Sequence, residues 1–275
     1  QEYMRARRRW VVDIDLEKFF DRVNHDKLMY EIGKRVKDRR VLVLIQRYLR
    51  AGVLEDGVVT PSTMGTPQGG PLSPLLSNLL LDQLDRELER RGHSFVRYAD
   101  DCNIHVATRR AGERVLASVT RFLEKKLRLK VNHAKSAVDR PWNRSFLGFS
   151  FTRATPRRAI APEAVHAFRT RVRELTRRNR GANIHVVIRE LKTFLIGWRA
   201  YFGFCETRTI LGILDSWVKR RLRCYQWKQW GRGRYRALRR CGASAWDARI
   251  SHSSRGPWRM SRHSVTNQAL SNEYF

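Results

Sequence analysis

The sequence predicts an α+β fold with a largely antiparallel sheet, followed by an all-α bundle. Three observations carry this expectation. Residues 10–17 alternate strictly, the period of a half-buried strand. Further short strand-like runs are joined by tight turn signals, not by the long crossovers that parallel strands need. Beyond residue 160, apolar residues recur every three to four positions through three successive segments, the period of packed helices.

Each element has its own justification. In "WVVDIDL" (10–16), Trp10, Val12, Ile14 and Leu16 share one face, while Val11, Asp13, Asp15 and Glu17 share the other. One side is expected to be core and the other a carboxylate stripe. Two helical segments follow from about Asp26 to Val53, and "RRVLVLIQRYLRAGV" is apolar with a basic edge. The stretch "GVLEDGVVTPSTMGTPQGGPLSP" reads as a hairpin turning at Asp56-Gly57, then a loop. Ser73 before Pro74 predicts a helix start, with serine as N-cap and proline at the first helical position. Leu75, Leu76, Leu79, Leu80, Leu84 and Leu88 give that helix a broad apolar face. Between Arg50 and Arg86 no basic residue occurs, which in so basic a chain marks buried or tightly packed structure. Strand, turn and strand are expected around Asp100 and Asp101, then an amphipathic helix over 110–128 and short strands near 129–140 and 145–153. The order β-α-α-β-β-α-β-β-α-β-β is an α+β pattern.

The bundle follows. Val165, Phe168, Val172 and Leu175 form one stripe. Ile184, Ile188, Leu191, Leu195, Trp198 and Phe202 form a second, and Ile210, Leu214, Trp217 and Leu222 a third. The opposite faces carry arginines, among them Arg169, Arg171, Arg173, Arg177, Arg178 and Arg180. The last stretch, rich in Gly, Arg, Trp and Ser, shows no periodicity and reads as a basic appendage.

Composition narrows the partners. The chain has 275 residues, with 56 Lys+Arg against 26 Asp+Glu, a formal charge of +30. Residues 1–140 carry +9 and residues 141–275 carry +21. An excess this one-sided favours a polyanionic partner. Cys102, Cys205, Cys224 and Cys241 have no CxxC spacing, which supports neither zinc nor a disulfide framework and suits a reducing cytosol. No apolar run approaches the roughly 18 residues of a membrane span, and there is no signal peptide.

Against this background the adjacent acids in "FVRYADDCNIHV" (95–106) stand out. Paired carboxylates at a hairpin tip suit a hard divalent cation, which offsets their repulsion. A third acid can come from the stripe on strand 10–16, where Asp13 and Asp15 are equivalent by spacing. Three carboxylates on neighbouring strands can hold two ions, the arrangement that supports nucleotidyl transfer.

Several blocks resemble a known family. "VVDIDLEKFFDRVNHDKL" (11–28), "GTPQGGPLSPLLSNLLLDQLD" (65–85) and "YADD" (98–101) are similar to the catalytic blocks of group II intron reverse transcriptase/maturases. "RSFLGFSF" (144–151) and "LKTFLIGWRAYF" (191–202) resemble that family's later palm segment and its maturase thumb, and "GPWRMSRHSVTNQALSNEYF" the C-terminal end of bacterial members. The resemblance implies a palm over 1–155, a maturase/thumb helical domain over 160–230 and a basic appendage over 231–275. It assigns Asp15, Asp100 and Asp101 as catalytic metal ligands for two Mg2+ ions, with Mn2+ as a substitute. It gives Phe20 to the incoming sugar (Phe19 being the competitor), Gln68 and Gly69 to the incoming nucleotide, and Lys135 to a basic position nearby. Thumb arginines would bind phosphates and 2′-OH groups.

The implied activity is RNA-directed DNA polymerisation with a maturase role in splicing and mobility, in a bacterial cytoplasm. The implied partners are group II intron RNA, an RNA template with DNA or RNA primer, and dNTPs, with no membrane. The alternative is a truncated, catalytically impaired maturase fragment that binds intron RNA. The family carries an N-terminal fingers region before the block near Trp10, so the chain is expected to lack it and to be completed by a fingers half or to act as a homodimer. An HNH-type endonuclease is not expected, since the histidines and cysteines of the last forty residues lack ligand spacing. His25 and His105 are expected to be structural.

Overall fold

The computed structural model describes residues 1–51, 53–55, 58–60, 64–66 and 72–275. The chain forms two compact units, Gln1–Pro156 and Arg157–Phe275. No described helix is long and apolar enough to cross a membrane.

The first unit begins with a short helix α1 (Glu2–Arg5) and strand β1 (Trp10–Ile14), then helices α2 (His25–Arg35) and α3 (Arg39–Arg50). A small hairpin, β2 (Val53–Glu55) and β3 (Val58–Thr60), precedes α4 (Ser73–Arg90). Then come β4 (Ser94–Tyr98), β5 (Asp101–Val106), α5 (Arg109–Phe122), β6 (Ala137–Asp139) and β7 (Phe149–Phe151). The main sheet runs β4-β5-β1-β6, with every pair antiparallel. β1 is central: Val12 faces Ile104 on one side and Val138 on the other.

One face of the sheet carries Val12, Ile14, Ile104 and Val106, all buried with Leu28, Leu80, Leu84, Leu88 and Val119. Helix α5 lies close against it: a Cβ on Gly112 would meet Val138 Cγ1 at 2.5 Å and Val106 Cγ2 at 3.3 Å. The helix predicted over 110–128 is α through Phe122 and then a π-helical turn, Leu123–Leu127. Val115, Val119, Leu123 and Leu127 are all buried. A four-residue spacing drifts about 40° per step around an α-helix, and the wider π turn brings Leu123 and Leu127 back to the core.

Two expectations need correction here. Ser73 is not an N-cap; it lies inside α4, buried, with its hydroxyl 3.2 Å from Tyr48 Oη, and Leu72 precedes the helix without a side-chain cap. Leu75 is 58% exposed, because the inward face of α4 centres on Leu76, Leu80, Leu81, Leu84 and Leu88. Helix α3 packs on the core through Leu42, Ile45, Tyr48 and Leu49, while Val41, Val43 and Leu44 are exposed. The predicted Asp56-Gly57 turn lies outside the described residues.

The second unit opens with β8 (Arg158–Ile160) and the three long helices α6 (Pro162–Leu175), α7 (Ile184–Phe202) and α8 (Thr209–Trp230). Phe168, Val172, Val187, Leu191, Leu214 and Val218 interlock in their core. Helices α9 (Arg234–Arg240), α10 (Ala245–Ala248), α11 (Pro257–Met260) and α12 (Ser264–Ala269) complete it. Trp227, Leu238, Ala248, Met260, Val265 and Ala269 bury a separate small core. Helices of four to seven residues are too short to print a period on the sequence, which is why this stretch reads as patternless.

Candidate active site

The site is built where β1 ends beside the β4–β5 turn. Tyr98 pairs with Asp101, so Ala99 and Asp100 form a two-residue turn. Such turns need a positive φ to match the twist of the strands, and Ala99 supplies it at +52°. Alanine pays for this conformation with roughly 1–2 kcal/mol. Arg97 holds the strained turn: its Nη1 donates to the Ala99 carbonyl (2.8 Å) and to Asn78 Oδ1 (2.9 Å), while Nε and Nη2 grip Asp85 on α4 at 2.7 and 2.6 Å.

In the β1–β5 register Asp13 faces Asn103 and Ile14 faces Cys102. One step further sets Asp15 opposite Asp101, on the sheet face that also carries Asp13. The backbone of Asp15 is clamped: its N–H donates to Ser136 Oγ (3.0 Å) and its carbonyl accepts from Asn132 N–H (2.9 Å). Asn132 shapes that loop with its own side chain, accepting from Ala134 N–H and Lys135 N–H.

The electrostatics sort the acids of the stripe. Glu17 is neutralised by Lys130 (2.8 Å) and Arg22 (2.9 Å). Asp13 has a loose partner in Arg144 (3.7 Å), and its carboxyl is pushed up to about 6, mainly by burial and further by the charges of Asp101 and Asp15. Among the described residues Asp15 has one ion-pair partner, Lys135 at 3.9 Å, whose side chain is 71% exposed. Asp101 is likewise raised, by burial first, then by Asp100 and Asp15, with Lys135 opposing. Asp15, Asp100 and Asp101 are therefore neighbours that repel one another. Among the described residues, no group of three or more His, Cys, Asp and Glu side chains is drawn together enough to hold a metal ion. The donor set itself, hard oxygens under mutual repulsion, fits a hard cation.

Phe19 and Phe20 separate cleanly. Phe19 is buried core, while Phe20 is half-buried and packs edge-on against it at 5.3 Å. The Phe20 carbonyl accepts from Thr66 N–H (2.6 Å), and Gly65 N–H donates to the Val23 carbonyl (2.8 Å). His25 adds a 2.6 Å contact from Nε2 to the Gly65 carbonyl, a structural task. Gly65 sits at φ +88°, and a Cβ there would lie 2.9 Å from the carbonyl oxygens of both Phe20 and Asp21. Gly65→Ala is expected to cost about 2–4 kcal/mol, read as a lower urea midpoint with an unchanged slope. A loss below about 0.5 kcal/mol would show that the tight approach is not maintained in solution. Gln68 and Gly69 lie outside the described residues.

The far end of the carboxylate face is closed. Val11 is buried, contrary to the two-sided reading of β1, and Asn103 and His105 are 7% and 9% exposed. They line a cavity of about 290 Å3 with Tyr3, Phe146 and Phe149. Burial, helped by the positive charges of the N-terminus and Arg8, pushes His105 down to about 4. Between pH 6.5 and 4 the unfolded chain then binds more protons than the folded one, so this residue's contribution to stability falls as pH drops. The full effect is about 3 kcal/mol. Asp13, raised, acts with the opposite sign in an overlapping window, so a difference measurement is needed: His105→Gln should lose less stability than the parent between pH 7 and pH 4.5 in urea titrations. Equal losses would assign the acid sensitivity elsewhere.

Cys102 lies directly behind the acid pair, buried, its thiol pushed up to about 12 chiefly by burial. The four cysteines are free.

With this geometry established, the relatives are informative. Residues 3–151 match the family of reverse transcriptases (RNA-dependent DNA polymerases). The chain belongs to the reverse transcriptase family. Residues 165–242 match the group II intron, maturase-specific domain, so this reverse transcriptase falls in the group II intron branch expected from its motifs. Protein YkfC of Escherichia coli (strain K12) is 40% identical over 86 residues, 31% of this chain and 23% of that protein. The group II intron-encoded protein LtrA of Lactococcus lactis subsp. cremoris is 42% identical over 78 residues, 28% of this chain and 13% of that protein. The chain thus matches less than a quarter of the length of either relative. Among solved structures, apo telomerase from Candida tropicalis truncated from its C-terminal domain is similar over 55% of this chain and 35% of that one, at 15% identity and a TM-score of 0.45.

The motif reading of this reverse transcriptase missed Arg97, Asn132 and Ser136. None touches a reacting group; each fixes a backbone that carries an acid. A usable signal existed for Arg97, a basic residue three positions before two acids that it does not pair with.

Proposed function

We propose that this reverse transcriptase extends a DNA or RNA 3′ end on an RNA template using dNTPs, and that its second unit binds group II intron RNA in splicing and mobility. The observation that carries the reading is the meeting of Asp15 with the Asp100–Asp101 turn on one sheet face, in a chain of net charge +30. Asp15, Asp100 and Asp101 would hold two Mg2+ ions, which supply activation of the attacking 3′ oxygen and charge neutralisation at the leaving pyrophosphate. The chain's own residues do the rest. Arg97 keeps the turn in its strained shape, Ser136 and Asn132 fix the backbone under Asp15, and Lys135 offers a mobile cation to phosphate. Phe20, held by Thr66, presents a half-buried ring suited to packing under a deoxyribose. The cytoplasm of a bacterium fits the free cysteines.

The test is primer extension on an RNA template by the chain and by Asp100→Ala, alone and with the fingers segment of a relative added. Mg2+-dependent incorporation by the parent, lost in the variant, is expected. No incorporation under any of these conditions, with intron RNA still bound, would leave the RNA-binding maturase fragment as the correct reading.

A further inference from the structure

The second unit contains a cleft that nothing in the polymerase reading uses. It has a volume of about 610 Å3 and is lined by Arg177, Arg178, Asn179, Arg221, Lys228, Arg234 and Pro257. Arg221 and Lys228 lie two turns apart on one face of α8, Arg177 and Arg178 just beyond the end of α6, and Arg234 at the start of α9. Five cations therefore meet from three elements, and no carboxylate lines the cleft. Among the described residues, none of the five is in an ion pair with Asp or Glu, although Arg171, Arg180 and Lys219 nearby in sequence are.

Two of the five are fixed in place. Arg221 donates from Nε to Thr176 Oγ1 (2.9 Å) and from Nη2 to the carbonyls of Thr176 (3.0 Å) and Arg173 (3.3 Å). Arg234 donates from Nε to the Trp227 carbonyl (3.0 Å). Arg221 is also half-buried with Arg178 and Arg173 as like-charged neighbours, and burial is the main cause of its lowered pKa. Gathering five like charges, two of them (Arg221 and Arg234) partly buried, costs free energy that a concentrated anion returns. No aromatic ring lines the cleft, so it offers nothing for a base to stack on. Its five cations suit phosphates, with Asn179 the one uncharged polar side chain beside them.

Size decides how the phosphates arrive. A cube of this volume has an edge of roughly 8.5 Å. One strand of a regular duplex advances about 3.4 Å per phosphate, so a cleft that faces a single strand meets two or three phosphates with five cations. A strand that folds back on itself brings more. We propose that this cleft holds the crowded phosphates of a sharply turned nucleic-acid strand, as at a bulge in a folded RNA. The inference rests on the reading of the second unit as RNA-binding and names the feature of the RNA that it grips.

The experiment compares the chain with Arg178→Gln/Lys228→Gln, since neither side chain has a hydrogen-bond or ion-pair partner among the described residues. Fluorescence titration uses two RNA hairpins of equal length, one with a three-nucleotide bulge and one fully paired. The parent is expected to prefer the bulged hairpin by about tenfold. The double variant should lose most of that preference, and its slope of log K against log salt on the bulged probe should fall by about 1.4. A bulged DNA hairpin should compete within about threefold, because the cleft contacts phosphate only. Arg221→Lys, which keeps the charge and loses the fork, should lie between parent and double variant, and unchanged circular dichroism confirms folding. Equal losses on both hairpins, or a parent without preference, overturn the inference while leaving RNA binding intact. Binding to neither hairpin would overturn the RNA-binding reading itself, and failure of DNA to compete would overturn the phosphate-only assignment.

Discussion

Asp15→Asn should reduce nucleotide incorporation by about a thousandfold, the equivalent of roughly 4 kcal/mol at the transition state. The substitution keeps the shape of the side chain and its backbone clamp to Ser136 and Asn132. What it removes is one of three charges that would cage the ions. Asp13→Asn is the matched control. Asp13 stands on the same sheet face, two residues earlier, but Arg144 already engages it, and burial and its acidic neighbours hold its carboxyl at about 6. Neutralising it should leave incorporation within about tenfold of the parent. Because a carboxyl raised from 3.8 to about 6 destabilises the folded state as pH rises through that window, the asparagine should also stabilise the protein at pH 7, by up to about 3 kcal/mol, and not at pH 4. Single-turnover extension and urea midpoints at both pH values check this. Comparable losses from the two substitutions would mean that the site does not distinguish these acids.

Arg97→Ala carries the second largest effect. It removes both arms of the grip on Asp85 and the donor to the Ala99 carbonyl, and leaves Asp85 partly buried without a counter-charge. Breaking a partly buried pair from one side costs about 2–4 kcal/mol. The turn that carries Asp100 also loses its anchor, and a misplacement of about 1 Å at such a site costs on the order of a hundredfold in rate. Arg97→Lys should rescue little, since a single ammonium cannot span both carboxylate oxygens. The discriminating readout is kcat against KM: a positioning role lowers kcat with KM nearly constant. A variant that is less stable but equally fast would confine Arg97 to stability.

How much of this was legible beforehand differs by element. The alternation in 10–16 located β1 and its acid face, because a period of two is imposed by the pleat itself. It could not show that Val11 is buried, since Tyr3 and Phe146, which line a cavity with it, lie outside the strand, Phe146 far along the chain. Spacing alone left Asp13 and Asp15 equivalent; they separate through Arg144, a partner about 130 residues away. Leucines mark α4 well, yet Leu75 sits at the edge of their stripe and its side chain lies outside. Ser73 satisfied the rule for a cap, but Tyr48 claimed its hydroxyl. Leu75 apart, local pattern supplied the element and a contact from outside it decided the residue.

The thiol of Cys102 has a practical consequence. Packed behind Asp101 and kept protonated at any physiological pH, it offers peroxide and alkylating reagents no thiolate to attack. The turn beside it should tolerate oxidising conditions, and maleimide dyes should react first at Cys241, the one cysteine that is not fully buried, leaving a labelled protein whose acid pair is untouched.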